Sequence, residues 1–97
     1  MPAYVLIDAD VTDPVRYKEY LGLGDVAMAK AGGRFLARGG AITHLEGDWH
    51  PTRLVVVEFP DRATAERWYA SPEYKSARKA RKGAARFRAV VVDGLPG

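Results

Sequence analysis

Runs of apolar, β-branched and aromatic residues, apolar at both odd and even positions, fill Ala3–Val11, recur on both sides of a polar break between Gly32 and Pro60, and return over Phe87–Asp93. This pattern predicts four β-strands. The middle pair reads as a hairpin: a first strand from Gly32 to Leu45, a turn through Glu46-Gly47-Asp48-Trp49-His50-Pro51, and a return from Arg53 to Pro60. β-Branched and aromatic residues around a Gly/Asp/Pro turn suit antiparallel strands and not a helix. Gly39-Gly40 falls inside the first of these strands, where it predicts a bulge or bend.

Between the strands the period becomes helical. Asp13-Pro14 supplies a capping carboxylate and a first helical residue that needs no N–H, and Tyr17, Tyr20, Leu21, Met28 and Ala31 then form one apolar stripe. Gly22 and Gly24 predict a kink or a close backbone approach in the middle of this helix, and Gly32-Gly33 its left-handed exit. Asp61 caps a second helix with Ala65, Trp68 and Tyr69 facing inward, and Ser71-Pro72-Glu73 restarts it as a new or kinked segment to about Lys82. Gly94-Leu95-Pro96-Gly97 reads as a tail. The order β-α-β, hairpin turn, β-α-β, with right-handed crossovers, predicts a ferredoxin-like α+β sandwich: a four-stranded antiparallel sheet with the helices on one face, forming one domain over residues 1–97.

Strand parity then assigns the two sheet faces. Val5, Ile7, Phe35, Val55, Val57, Phe59 and Val91 form an apolar set for the helices. The opposite set is Tyr4, Leu6, Leu36, Leu54, Val56, Val90 and Val92, joined by Asp8, Arg38 and Glu58. A face with that much hydrocarbon needs a cover, and no segment of the chain is left over to provide one. The economical cover is a second copy, giving a two-fold homodimer with a barrel-like interior; a different protein partner is the alternative.

Composition adds exclusions. The chain has no cysteine, so neither a disulfide framework nor a thiolate metal site is available, and a reducing cytoplasmic location is the expectation. No apolar run approaches a membrane span, and no signal-peptide pattern precedes the first strand. Fifteen Lys and Arg against twelve Asp and Glu leave a mild +3, but seven of those cations fall between Lys75 and Arg88, where any anionic partner would dock. They do not alternate with exposed aromatics, so a solvated basic helix end is favoured over nucleic-acid binding.

Val11-Thr12-Asp13-Pro14, Tyr17-Lys18-Glu19-Tyr20, Gly32-Gly33-Arg34-Phe35-Leu36, Arg38-Gly39-Gly40, Leu45-Glu46-Gly47-Asp48-Trp49, Glu58-Phe59-Pro60 and Ser71-Pro72-Glu73-Tyr74 occur in this order along nearly the whole chain. Together they resemble the domain of unknown function 1330 family. The resemblance implies a dimeric α+β barrel, an architecture shared by small monooxygenases, lactone isomerases and some haem enzymes, and brings no established catalytic residues with it.

Two groups of residues are candidates for chemistry. Asp8, Arg38 and Glu58 share the mixed sheet face, where a desolvated carboxylate beside another suits acid–base work and Arg38 suits a substrate carboxylate; a structural ion-pair cluster at a dimer interface is the alternative. His44, Glu46, Asp48, Trp49 and His50 crowd the hairpin end. Placed on a strand, His44 is the first choice for proton transfer, with Trp49 as wall or lid; a surface turn packed on a partner subunit is the alternative. A metal held by His44 and His50 is disfavoured, as is haem, because neither histidine falls on a predicted helix. Arg53 is expected in a salt bridge near the turn, and Tyr74 under the restarted helix. The resulting expectation is a homodimer binding a small aromatic or carboxylated metabolite between helices and sheet. Its chemistry would be cofactor-free oxygenation or isomerisation: His44 moves a proton, Asp8 or Glu58 assists, Arg38 anchors an anionic oxygen, and Trp49 with Tyr17 lines the pocket. The alternative is a non-catalytic dimeric interaction module.

Overall fold

The computed structural model describes residues 1–96, so the final glycine of the expected tail lies outside it. Seven elements follow in the order β1 (Ala3–Val11), α1 (Pro14–Ala31), β2 (Arg34–Arg38), β3 (Leu54–Phe59), α2 (Arg62–Ala70), α3 (Pro72–Arg81) and β4 (Ala85–Asp93). They form the ferredoxin-like sandwich, with one antiparallel sheet in the order β2-β3-β1-β4.

Local chemistry sets the helix ends. Asp13 accepts from the Arg16 N–H at 3.2 Å with Pro14 next in line, and α1 leaves through Gly32 at φ 78°. Asp61 caps α2 by accepting from the Thr64 hydroxyl and from the Thr64 N–H, each at 2.7 Å, and these two bonds hold its carboxyl below the usual value. Ser71 both ends α2 and starts α3: its Oγ donates to the Trp68 carbonyl at 2.7 Å and accepts from the Tyr74 N–H at 3.2 Å. Gly22 and Gly24 do not interrupt α1, which is continuous, and no other backbone comes near them: Gly22 faces open space and Gly24 the Tyr20 ring.

The core lies between the helices and the odd-numbered positions of β1 and β3. Val5, Ile7, Val55, Val57 and Phe59 are buried there with Tyr17, Tyr20, Met28, Trp68 and Tyr74. Tyr69, expected in the inward stripe, is instead 43% exposed at the edge of this layer. The other face is open. Leu6, Leu36, Val90 and Val92 are 43%, 49%, 62% and 49% exposed, as the parity argument required of a surface without an internal cover.

The hairpin departs from expectation twice. First, β2 ends at Arg38, and Gly39 through Arg53 form a long connection instead of a strand to Leu45. The cause is Gly39, whose left-handed φ of 69° turns the chain out of the sheet while its N–H still bonds to the Leu54 carbonyl at 2.9 Å. Second, the bulge lies before the glycines. Phe35 opposes Val57 and Ala37 opposes Val56, so Leu36 is an extra residue in β2. One added residue inverts the faces beyond it, and Arg38 consequently opposes Val55 on the helix side.

Candidate functional site

The inverted phase separates the charged cluster expected on the open face. Arg38 turns inward, lies 4.3 Å from the Phe35 ring centre, and pairs with Asp25 of α1 at 2.6 Å. Glu58 stays on the open face and pairs with Arg34 at 2.5 Å. Asp8 also stays there, but it opposes Leu54 whereas Glu58 opposes Tyr4. Four residues along a strand place these carboxylates roughly 13 Å apart, too far for one to perturb the other as a catalytic pair.

Asp8 instead meets groups that strand phasing did not connect with it. One of its carboxylate oxygens accepts from Trp49 Nε1 at 2.8 Å and from the Arg88 guanidinium at 2.7 Å. Trp49 thereby folds the 39–53 connection back over the sheet. It helps line a depression of about 660 Å³ with Leu6, Leu54, Val56, Arg88 and Val90. His44 does not reach that depression. It stands exposed on the connection, its Nε2 hydrogen-bonded to the Gly47 carbonyl at 2.8 Å and its ring stacked 4.0 Å from that of His50. The strand position expected for His44 fails because β2 has already ended.

A second compartment lies between α1 and the sheet. Tyr17, Tyr20 and Asp25 come from α1, Arg38 from the end of β2, Arg53 from the approach to β3, Trp68 and Tyr74 from the α2–α3 pair, and Phe87 from β4. They surround about 30 Å³, room for a single water. Tyr20 and Tyr74 share a hydrogen bond of 2.7 Å between their hydroxyls. Burial holds the phenols of Tyr17, Tyr20 and Tyr74 above the usual tyrosine value; the Arg53 and Arg81 cations partly counter this at Tyr17. Arg53 has no carboxylate partner among the described residues, contrary to the expected salt bridge, and its Nε is buried without an acceptor. The Trp68 Nε1–H is in the same condition.

The structure therefore gathers Arg38 with Tyr17 in the inner cleft and Asp8 with Trp49 on the open face, and leaves His44 and Glu58 apart from both. Asp25, Arg53, Trp68 and Tyr74 complete the cleft, and Arg88 completes the Asp8 cluster. The i, i+3 spacing of Tyr17 and Tyr20 signals two rings on one helix face. Nothing local in the sequence joins Arg38 to Asp25. Among the described residues no group of three or more acidic or histidine side chains is placed to hold a metal ion.

The profile of the family described as "Domain of unknown function (DUF1330)" matches residues 2–95. The chain belongs to this family. No curated protein matches it. Among solved structures, this DUF1330 protein is similar to the RPA0582 protein of unknown function from Rhodopseudomonas palustris, with TM-score 0.74, 22% identity, and coverage of 99% of this chain and 84% of that one. It is also similar to SnoaB, a cofactor-independent oxygenase from Streptomyces nogalater, with TM-score 0.66, 13% identity, and coverage of 99% and 95%. A third is HapK from Hahella chejuensis, with TM-score 0.64, 12% identity, and coverage of 98% and 94%. At these identities the likeness establishes a shared fold. No helix among the described residues is long and apolar enough to cross a membrane.

Proposed function

We propose that this DUF1330 protein is a homodimer that binds a small aromatic or carboxylated metabolite between α1 and the sheet, with cofactor-independent oxygenation or isomerisation as its chemistry. The observation that carries the binding site is the make-up of the inner cleft. Aromatic rings form its walls, and the Arg53 and Trp68 N–H groups lie buried in its lining without acceptors. A ligand bringing a flat ring and an acceptor oxygen complements both features. Arg38 and Asp25 stand at the cleft as a pair 35% and 50% exposed. Pairs of that exposure are worth at most about 1 kcal/mol, so parting them to enlarge the cleft is inexpensive. Arg38 then anchors an anionic oxygen and the Tyr17 hydroxyl borders the ring.

The open face supports the homodimer. Leu6, Leu36, Val90 and Val92 belong to an apolar sheet surface of the kind that two copies cover by packing face to face. Asp8, Glu58 and His44 lie outside the inner cleft of their own subunit, so roles for them in proton transfer depend on the second copy. The fold shared with an oxygenase that uses no cofactor supplies the reaction class, by analogy.

Sedimentation velocity at micromolar concentration tests the assembly: the wild type sediments as a dimer of the 10.6 kDa chain, and Leu6→Asp with Val90→Asp as a folded monomer. A wild-type monomer rejects the homodimer. For the site, 1,4-dihydroxy-2-naphthoate is the probe. Saturable binding and protein-dependent oxygen uptake are expected, both lowered about tenfold by Arg38→Gln. Binding without turnover of any kind favours the non-catalytic module, and wild-type binding in the Arg38→Gln protein rejects the cleft assignment.

A further inference from the structure

The basic stretch of α3 divides into two sets. Lys75, Lys79 and Lys82 are exposed, whereas Arg78 and Arg81 continue the stripe begun by buried Tyr74 and Ala77 and are only partly exposed. The Arg78 guanidinium lies 4.1 Å from the Tyr69 ring centre, and that of Arg81 lies 3.7 Å from the Phe87 ring centre. Neither arginine pairs with a carboxylate among the described residues, and the one hydrogen bond of the Arg78 guanidinium goes to the Tyr69 carbonyl at 3.3 Å. The Nε atoms of both are buried without an acceptor, and the Trp68 ring stands beside them.

These three side chains line one groove between the α2–α3 pair and β4, a space of about 610 Å³ whose other walls include Val5, Tyr69, Phe87 and Val91. Its one acid, Glu66, lies 3.9 Å from Arg62. The volume falls in the range of small-molecule sites. A partly desolvated guanidinium without a counter-ion is unfavourable, and an arginine laid flat on a ring is preorganised to present its donors to a carboxylate. The complement of such walls is a flat apolar molecule with an anionic end.

We propose that this groove is a binding site for an aromatic carboxylate, whose acid group is held by Arg78 and Arg81 and whose ring packs against Trp68 and Phe87. The site is distinct from the inner cleft, although Trp68 and Phe87 line both.

The test uses 2-naphthoate and its neutral counterpart 2-naphthamide, read by Trp68 fluorescence in the 97-residue chain carrying Trp49→Phe, which removes the other of its two tryptophans. Naphthoate binds saturably and naphthamide about tenfold more weakly or worse. Arg78→Gln and Arg81→Gln each lower naphthoate affinity about tenfold without changing that of the amide, and Arg81→Lys, which keeps the charge, loses less than Arg81→Gln. Circular dichroism checks each fold, and Arg78→Gln carries the test should Arg81→Gln fail to fold. Equal affinity for acid and amide overturns the proposal, as does the absence of saturable binding at millimolar probe. Wild-type affinity in both glutamine variants with loss in Arg38→Gln also overturns it, because the carboxylate then sits in the inner cleft. That last outcome leaves the proposed function standing.

Discussion

Tyr20 and Tyr74 are 7% and 1% exposed, and their hydroxyls meet at 2.7 Å across the seam between α1 and α3. Tyr20→Phe removes one hydroxyl and strands the other in a place water reaches poorly. The lost bond costs about 1 kcal/mol net, and the stranded hydroxyl adds a desolvation penalty of about 1 kcal/mol or more, so each single variant should lose about 2 kcal/mol. The double variant keeps the shape of both rings and strands nothing. It should therefore lose only the bond term, about 1 kcal/mol or less in total, well short of the roughly 4 kcal/mol that additive singles would give. Urea unfolding at neutral pH and one fixed protein concentration measures all four corners of the cycle, with an unchanged m-value confirming that only stability has moved. In a domain of this size the single substitutions should lower Tm by roughly 8 to 16 °C. Additive losses, within about 0.5 kcal/mol, would refute the reasoning, because they would show that each hydroxyl finds another partner when its mate is removed.

The same burial gives a pH dependence with a definite sign. The folded chain holds the phenols of Tyr17, Tyr20 and Tyr74 above their ordinary value, so stability is flat below the unfolded value of about 10 and falls at higher pH as the unfolded state sheds protons first. Each such tyrosine contributes a slope of up to about 1.4 kcal/mol per pH unit, and urea midpoints between about pH 8 and 11.5 should be shallower for the double phenylalanine variant than for the wild type. At the end of α1, a Cβ on Gly33 would collide with the Met28 sulfur and come within 2.9 Å of the Phe59 ring. Both neighbours are buried, so Gly33→Ala should cost about 1 to 3 kcal/mol. Gly22, with nothing within 4 Å, should accept alanine with a gain of about 0.5 to 1 kcal/mol. Thermal melts of the two variants shifting in the same direction would contradict the contrast.

What was legible in the sequence follows from how local each signal is. The three helix starts rest on a capping side chain three residues from its N–H, a distance the sequence displays directly. Parity held along β1, β3 and β4 because their mutual pairings do not slip register, and it placed the core and the open apolar face correctly. It failed for β2. A bulge forms where two strands find their best joint register, and the extra Leu36 resembles its neighbours in every local respect.

The charged candidates show the same division. That Asp8 and Glu58 share a face is a property of odd and even positions, yet their partners are Arg88, which is 80 residues from Asp8, and Arg34. The basic run of α3 looks uniform as a string, and only the packing of α3 beside β4 separates its solvated lysines from Arg78 and Arg81, which lie on aromatic rings. By itself, then, the sequence determined the element order, the caps and the two-sided apolarity of the sheet, because each depends on contacts within a turn or on alternation along one strand. Tertiary structure alone decided which charges meet, that Arg38 faces the helices, and where donors are left without acceptors, because those outcomes depend on register between strands and on side chains brought together from distant parts of the chain.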